Sequence, residues 1–167
     1  AARLVPRIAA GELRLLVIGH RSALRAAAEM VADAPEIPET TEDADWPALA
    51  LLPAGEEREP IAWGRLSPEG GRFAYLAAEK AVKLALAGRI GAIVTAPLNK
   101  EALNKAGYKF AGHTDMLAAL TGTPSSVMLL AHGPMRVSHV TTHVALEKVP
   151  ALITPARLSR TIDLTLG

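Results

Sequence analysis

Two apolar runs that each stop on polar, reactive side chains constrain this chain most. The first, Ile90 to Val94, gives way to Thr95-Ala96-Pro97-Leu98-Asn99-Lys100; the second, Met135 to His143, ends at Thr141-Thr142-His143. Between them lies Gly112-His113-Thr114-Asp115. Both runs read as buried strands, and the carboxyl ends of strands are where open α/β sheets bind ligands. Half of the residues are hydrophobic but only 4% are aromatic, so Ala, Leu, Val and Ile must fill the core. Helices packed on a parallel sheet suit that composition better than an aromatic-rich sandwich.

The flanking sequence supports the same class. Residues 1–10 have rough helical spacing weakened by Pro6, and Leu13 to Gly19 reads as a short buried strand. Residues 22–32 read as an alanine-rich helix with Ser22 as its N-cap. The acidic, proline-bearing stretch 33–47 reads as surface loop, with one short strand or turn at most. Leu49 to Pro53 reads as a strand, followed by a polar connection from Ala54 to Glu69. Gly70-Gly71 then precedes a strong helix that ends at Gly88, with Phe73, Leu76, Ala77, Ala81, Leu84 and Ala85 on one face. Asn99 or Thr95 is placed to cap a helix that stops at Gly107, and Asp115 to Thr121 reads as helical. Val127 to Leu130 and Met135 to His143 flank the turn His132-Gly133-Pro134, so part of the sheet is expected to be a hairpin. Residues 149–153 and 156–166 close the chain as helix, interrupted at Pro155.

Charge and cysteine content narrow the function. A net charge of +1 argues against nucleic acid or an anionic membrane as the main partner. With no cysteine, any metal must sit on His, Asp or Glu. No apolar run approaches the ~18 residues of a membrane span, and no signal peptide is visible, so a cytoplasmic address is expected. The chain opens on Ala1 and ends at Gly167 in segments that read as helix, so a fragment of a longer protein is expected.

The candidate site residues each carry two readings. His113 and Thr114 stand at a helix start, where free amides and the positive dipole end suit an anion; the alternative is an ordinary cap beside a solvent-facing histidine. His143 reads as a metal ligand, a base or a hydrogen-bonded core histidine, and one histidine does not make a metal site. His139 shares its strand face at a rise of ~13 Å, too far for one metal, and reads as structural. Lys100 is placed for phosphate but reads equally as a solvated helix residue, and His20 and His132 read as surface residues. No G-x-G-x-x-G or P-loop pattern occurs, and Gly70-Gly71 is too short to stand in for one.

Taken together, Thr95 to Leu103, Ala106-Gly107, Gly112 to Asp115 and Thr141 to Leu146, with the upstream block Gly64 to Gly71 and the helix to Gly88, resemble the 4-hydroxythreonine-4-phosphate dehydrogenase family of pyridoxal phosphate biosynthesis. The match runs over residues 64–155, and residues 1–63 fit only loosely. The resemblance implies an α/β fold, mostly parallel with helices on both faces, similar to isocitrate and isopropylmalate dehydrogenases. Residues 1–167 would be part of that two-lobed enzyme, without the family's glycine-rich opening and second half.

It further implies NAD or NADP as cofactor and a divalent metal (zinc, magnesium or cobalt) for oxidation and decarboxylation of 4-phosphooxy-L-threonine. His113 and Thr114 match the family's substrate-binding pair, and His143 matches the first of three metal-binding histidines, completed across a homodimer. The catalytic and cofactor-binding residues are not assigned. The threonine-proline-lysine block and the Asp after His113-Thr114 resemble equally the branch acting on D-threonate or D-erythronate 4-phosphate. A phosphate-binding α/β module without redox chemistry, and an acyl- or phosphoryl-transfer enzyme of similar architecture, are the rival readings. The fragment by itself is expected to be inactive.

Overall fold

The computed structural model describes residues 4–56 and 61–166. Part of the polar connection read between Ala54 and Glu69, and the first three residues of the expected opening helix, lie outside the described residues. The chain divides into two compact units, Ala1–Thr121 and Gly122–Gly167.

In the first unit, α1 (Val5–Ala9) ends at Gly11, whose φ of +74° is the left-handed geometry a glycine terminator supplies. β1 (Leu15–Gly19) and β2 (Leu49–Pro53) pair in parallel, with Leu15 opposite Leu49 and Gly19 opposite Pro53. A single parallel bridge, Glu39 to Leu51, extends this pair on the far side of β2. It is the one strand-like piece of the acidic 33–47 loop. Ala50, Leu51 and Leu52 are buried there, so β2 is the better-covered strand.

Between the strands lies α2 (Arg21–Glu29), whose N-cap position is held by His20, not Ser22, without a side-chain capping bond. The Ser22 hydroxyl instead pairs with His20 Nδ1 at 2.8 Å, while Nε2 donates to the Glu56 carbonyl at 3.1 Å. His20 is buried and stacks on Phe73 with ring centroids 4.1 Å apart. The expected surface histidine is therefore a core one, because both ring nitrogens find partners and the ring face finds an aromatic.

α3 (Pro68–Leu86) begins at the N-cap Ser67, whose hydroxyl accepts from the Gly70 amide at 3.3 Å. Gly70 and Gly71 thus lie inside the helix rather than before it. A Cβ on Gly71 would stand 2.2 Å from the Ala102 carbonyl oxygen, so the glycine is where α4 (Lys100–Lys105) approaches the α3 backbone. α3 buries Phe73, Ala81, Val82 and Leu84, packing against β1 on one side and α4 on another. Lys80 reaches the Pro53 carbonyl at the end of β2, at 3.0 Å. The helix stops at Gly88 with φ +69°, as its sequence requires.

From Ile90 to Asn99 the chain forms neither helix nor strand, and Val94 is 94% exposed. The strand expected over Ile90 to Val94 is therefore not formed. An apolar run is necessary for a buried strand but not sufficient, since the ladder needs a neighbour. Among the described residues β1 pairs only with β2.

Asn99, not Thr95, caps α4: its Oδ1 accepts from the Ala102 amide at 2.9 Å. Leu103 is fully buried. The following turn is held against α3 by Tyr75, which stacks on Tyr108 at 3.7 Å and faces Phe110 at 6.3 Å. Burial raises the Tyr75 phenol above its ordinary pKa, with the Glu79 carboxylate adding to the effect, so it stays neutral. This turn delivers the chain to α5 (His113–Thr121), anchored by the buried Met116.

The second unit contains the expected hairpin. β3 (Leu129–His132) and β4 (Met135–Ser138) are antiparallel around Gly133-Pro134. β4 ends at Ser138, five residues short of the expected strand end, and the chain to Ala145 is irregular. A 3₁₀ turn (Leu146–Lys148), α6 (Val149–Leu152) and α7 (Pro155–Leu166) follow. Pro155 is the first residue of α7, where its missing amide costs nothing, and Thr154 Oγ1 accepts from the Arg157 amide at 3.2 Å. Among the described residues no helix is long and apolar enough to cross a membrane.

Candidate functional site

His113 is the first residue of α5, as its sequence context predicts, and Thr114 is the second. The element exists because Gly112 ends the aromatic turn while Met116 buries completely one turn later. The Met116 amide bonds to the Gly112 carbonyl at 3.2 Å, leaving the amides before it free of helical partners. His113 is half-buried and Thr114 exposed. Among the described residues neither the imidazole nor the hydroxyl has a hydrogen-bond partner. A cap would have used the threonine internally. Here both side chains lack a hydrogen-bond partner among the described residues at the start of a nine-residue helix whose first turn also carries Asp115; such a helix start suits an anionic or hydroxylated ligand.

Lys100 belongs to the same neighbourhood, a placement that sequence reasoning left open. Its Cε lies 3.6 Å from the point a Cβ on Gly112 would occupy. The signal was three-dimensional: twelve residues of sequence fold back so that the start of α4 meets the start of α5.

His143 is placed differently from expectation. It follows no strand; it sits in a bend with φ +57°, in the left-handed region, and is exposed. Its ring nitrogens have no partner among the described residues, so its donor chemistry suits one position on a metal. Among the described residues no group of three His, Cys, Asp or Glu is arranged to hold a metal ion. Catalytic metals usually take three ligands from protein. His139 has the structural role expected of it, with Nδ1 3.3 Å from the Met128 carbonyl across the hairpin end. His132 is exposed.

A cavity of about 330 Å³ lies elsewhere in the first unit, between Arg14, Trp46 and Arg89 near the amino ends of β1 and β2. Arg89 stacks on the Trp46 ring at 4.4 Å and donates to the Ala44 carbonyl at 3.1 Å, and Arg14 donates to the Trp46 carbonyl. These contacts pin the acidic loop to the sheet and occupy the cations.

The family model described as pyridoxal phosphate biosynthetic protein PdxA matches residues 12–166. The chain belongs to this family. A provisionally named D-threonate 4-phosphate dehydrogenase of Bradyrhizobium diazoefficiens is 61% identical over 160 residues, covering 95% of this chain and 46% of that protein. A 4-hydroxythreonine-4-phosphate dehydrogenase of Desulfosudis oleivorans is 44% identical over 117 residues, covering 70% of this chain and 35% of that one. Among solved structures, a 4-hydroxythreonine-4-phosphate dehydrogenase from Burkholderia phymatum superposes with a TM-score of 0.74 at 37% identity, covering 90% of this chain and 47% of that chain. The mixed helix and strand architecture is thus that of the family. The chain spans less than half the length of the curated relatives it matches.

Proposed function

We propose that residues 1–167 carry the substrate-recognition part of an NAD(P)- and divalent-metal-dependent dehydrogenase that oxidises and decarboxylates a four-carbon, 4-phosphorylated hydroxy acid. The observation that carries this reading is the unengaged His113-Thr114 pair at the start of α5, in a chain of the PdxA family. D-threonate 4-phosphate is the favoured substrate, because the relative bearing that name is 61% identical over nearly the whole chain. The second reading is 4-phosphooxy-L-threonine, supported by the relative at 44% identity and by the Burkholderia structure.

A bound nicotinamide would supply the hydride acceptor for C3, the hydroxyl-bearing carbon β to the carboxylate; loss of that hydride and of the hydroxyl proton gives a β-keto acid, which can release carbon dioxide. A divalent cation, when bound, polarises the oxygen on that carbon. His113 and Thr114 bind and orient the substrate's polar groups at the helix start. His143 supplies one ligand to the cation, with the others from a homodimeric partner and from sequence beyond these residues. A two-lobed architecture similar to isocitrate dehydrogenase and a cytoplasmic address belong to the same proposal.

The test is NAD(P)H formation by the complete enzyme with D-threonate 4-phosphate, D-erythronate 4-phosphate and 4-phosphooxy-L-threonine, with zinc, magnesium or cobalt. The highest kcat/KM is expected for D-threonate 4-phosphate. Preference for 4-phosphooxy-L-threonine selects the second reading, and no turnover with any of the three overturns both.

The metal assignment has its own check. Asparagine tolerates the left-handed backbone that His143 occupies, so His143→Asn removes the imidazole with little strain. The purified variant is expected to retain less than about a tenth of the wild-type bound metal. Wild-type metal content in this variant would remove His143 from the site.

A further inference from the structure

The geometry points to Lys100 as the cationic residue of the His113-Thr114 site, binding the substrate's phosphate or carboxylate; we infer this role on the basis of the function proposed above. Lys100 is the first residue of α4, directly after the capping Asn99. The chain between α4 and α5 folds back on itself. Tyr108 donates its amide to the Leu103 carbonyl at 3.1 Å, and Asn104 Nδ2 donates to both the Lys100 carbonyl, at 2.8 Å, and the Phe110 carbonyl, at 3.3 Å. These bonds bring the two helix starts together.

The Lys100 side chain then runs over Gly112, with Cε at 3.6 Å from an ideal Cβ position there. Its ammonium, one bond further on, is delivered beside the residue that precedes His113. The charge is also uncommitted. Glu101 is turned along α4 to Lys105 at 2.9 Å, and among the described residues Lys100 forms no ion pair. The exposed Lys100 side chain thus lies beside Gly112, the residue before His113 and Thr114, and among the described residues none of the three side chains has a hydrogen-bond or ion-pair partner. A lysine used as a point charge with neutral donors beside it is a phosphate- or carboxylate-binding arrangement.

The complete enzyme with Lys100→Gln, and with Lys100→Arg, tests this. Lys100→Gln should raise KM for the phosphorylated substrate by about tenfold or more and change kcat and the nicotinamide KM less than about threefold. Lys100→Arg should recover most of the loss. Calorimetric titration with inorganic phosphate and with malonate reads anion binding without turnover. Weaker phosphate binding by Lys100→Gln assigns the phosphate, and weaker malonate binding alone assigns the carboxylate. Wild-type KM and wild-type affinity for both anions would overturn the assignment. Should the wild-type enzyme turn over none of the phosphorylated acids, the proposed reaction fails. A Lys100-dependent phosphate or malonate affinity in that enzyme would still uphold the anion-binding role.

Discussion

Gly71→Ala is expected to lower the melting temperature of the complete enzyme by roughly 6–12 °C, the shift that about 3 kcal/mol of overpacking produces in a domain of this size. The added Cβ would stand 2.2 Å from the Ala102 oxygen, 2.3 Å from its carbonyl carbon and 2.7 Å from the Leu103 nitrogen. All three are backbone atoms, so no rotamer change relieves the overlap and α4 must move off α3. The movement would drag Leu103, which is fully buried, out of its packing. It would also shift Lys100 away from the α5 start. Gly70→Ala is the control. Its Cβ would meet only Ile61 Cδ1 at 3.4 Å and Ser67 Cβ at 3.9 Å, and alanine in place of a helical glycine adds about 0.5–1 kcal/mol of helix preference. Melting curves of the two variants should therefore shift in opposite directions. A Gly71→Ala shift of under about 2 °C would contradict the close approach.

That glycine shows what sequence patterning could and could not reach. Gly70-Gly71 reads as a break before a helix, yet Ser67 and Pro68 start the helix first and Gly71 is required by a neighbour more than thirty residues away. The local signals that succeeded are self-contained: the Gly88 terminator, the Asn99 cap, the Gly133-Pro134 hairpin and the helix opening at His113. The signals that failed depended on partners. Ile90 to Val94 has the composition of a strand but no ladder among the described residues. His20, apparently a turn residue, is buried because Phe73, Ser22 and Glu56 converge on it from three segments. His143 follows an apolar run, but β4 stops at Ser138 and the histidine lies in a left-handed bend.

The candidate site divides the same way. His113 and Thr114 could be found from a glycine, a hydroxyl and a helix start in succession. Their availability could not, because it rests on the absence of hydrogen bonds to these side chains among the described residues. Lys100 sits twelve positions before Gly112, and only the return of the chain through Tyr108 and Phe110 puts it there.

The second large effect falls on His113 itself. His113, the first residue of α5, is half-buried, and among the described residues its imidazole has no hydrogen-bond partner. A hydrogen bond from it to an ionised substrate group would be worth about 1.5–3 kcal/mol, so its removal should cost roughly 10- to 150-fold in kcat/KM. Because no structural bond is lost, the fold should tolerate the change, with melting unaltered within a few degrees. Thr114→Val should act in the same direction with a smaller loss, since a neutral hydroxyl is worth about 0.5–1.5 kcal/mol.

The most direct test of a substrate site at the start of α5 is the kcat/KM of the complete His113→Ala enzyme for D-threonate 4-phosphate, or for 4-phosphooxy-L-threonine should that prove the better substrate. The account predicts a loss of at least about tenfold at unchanged melting temperature. A wild-type kcat/KM in that variant would contradict it.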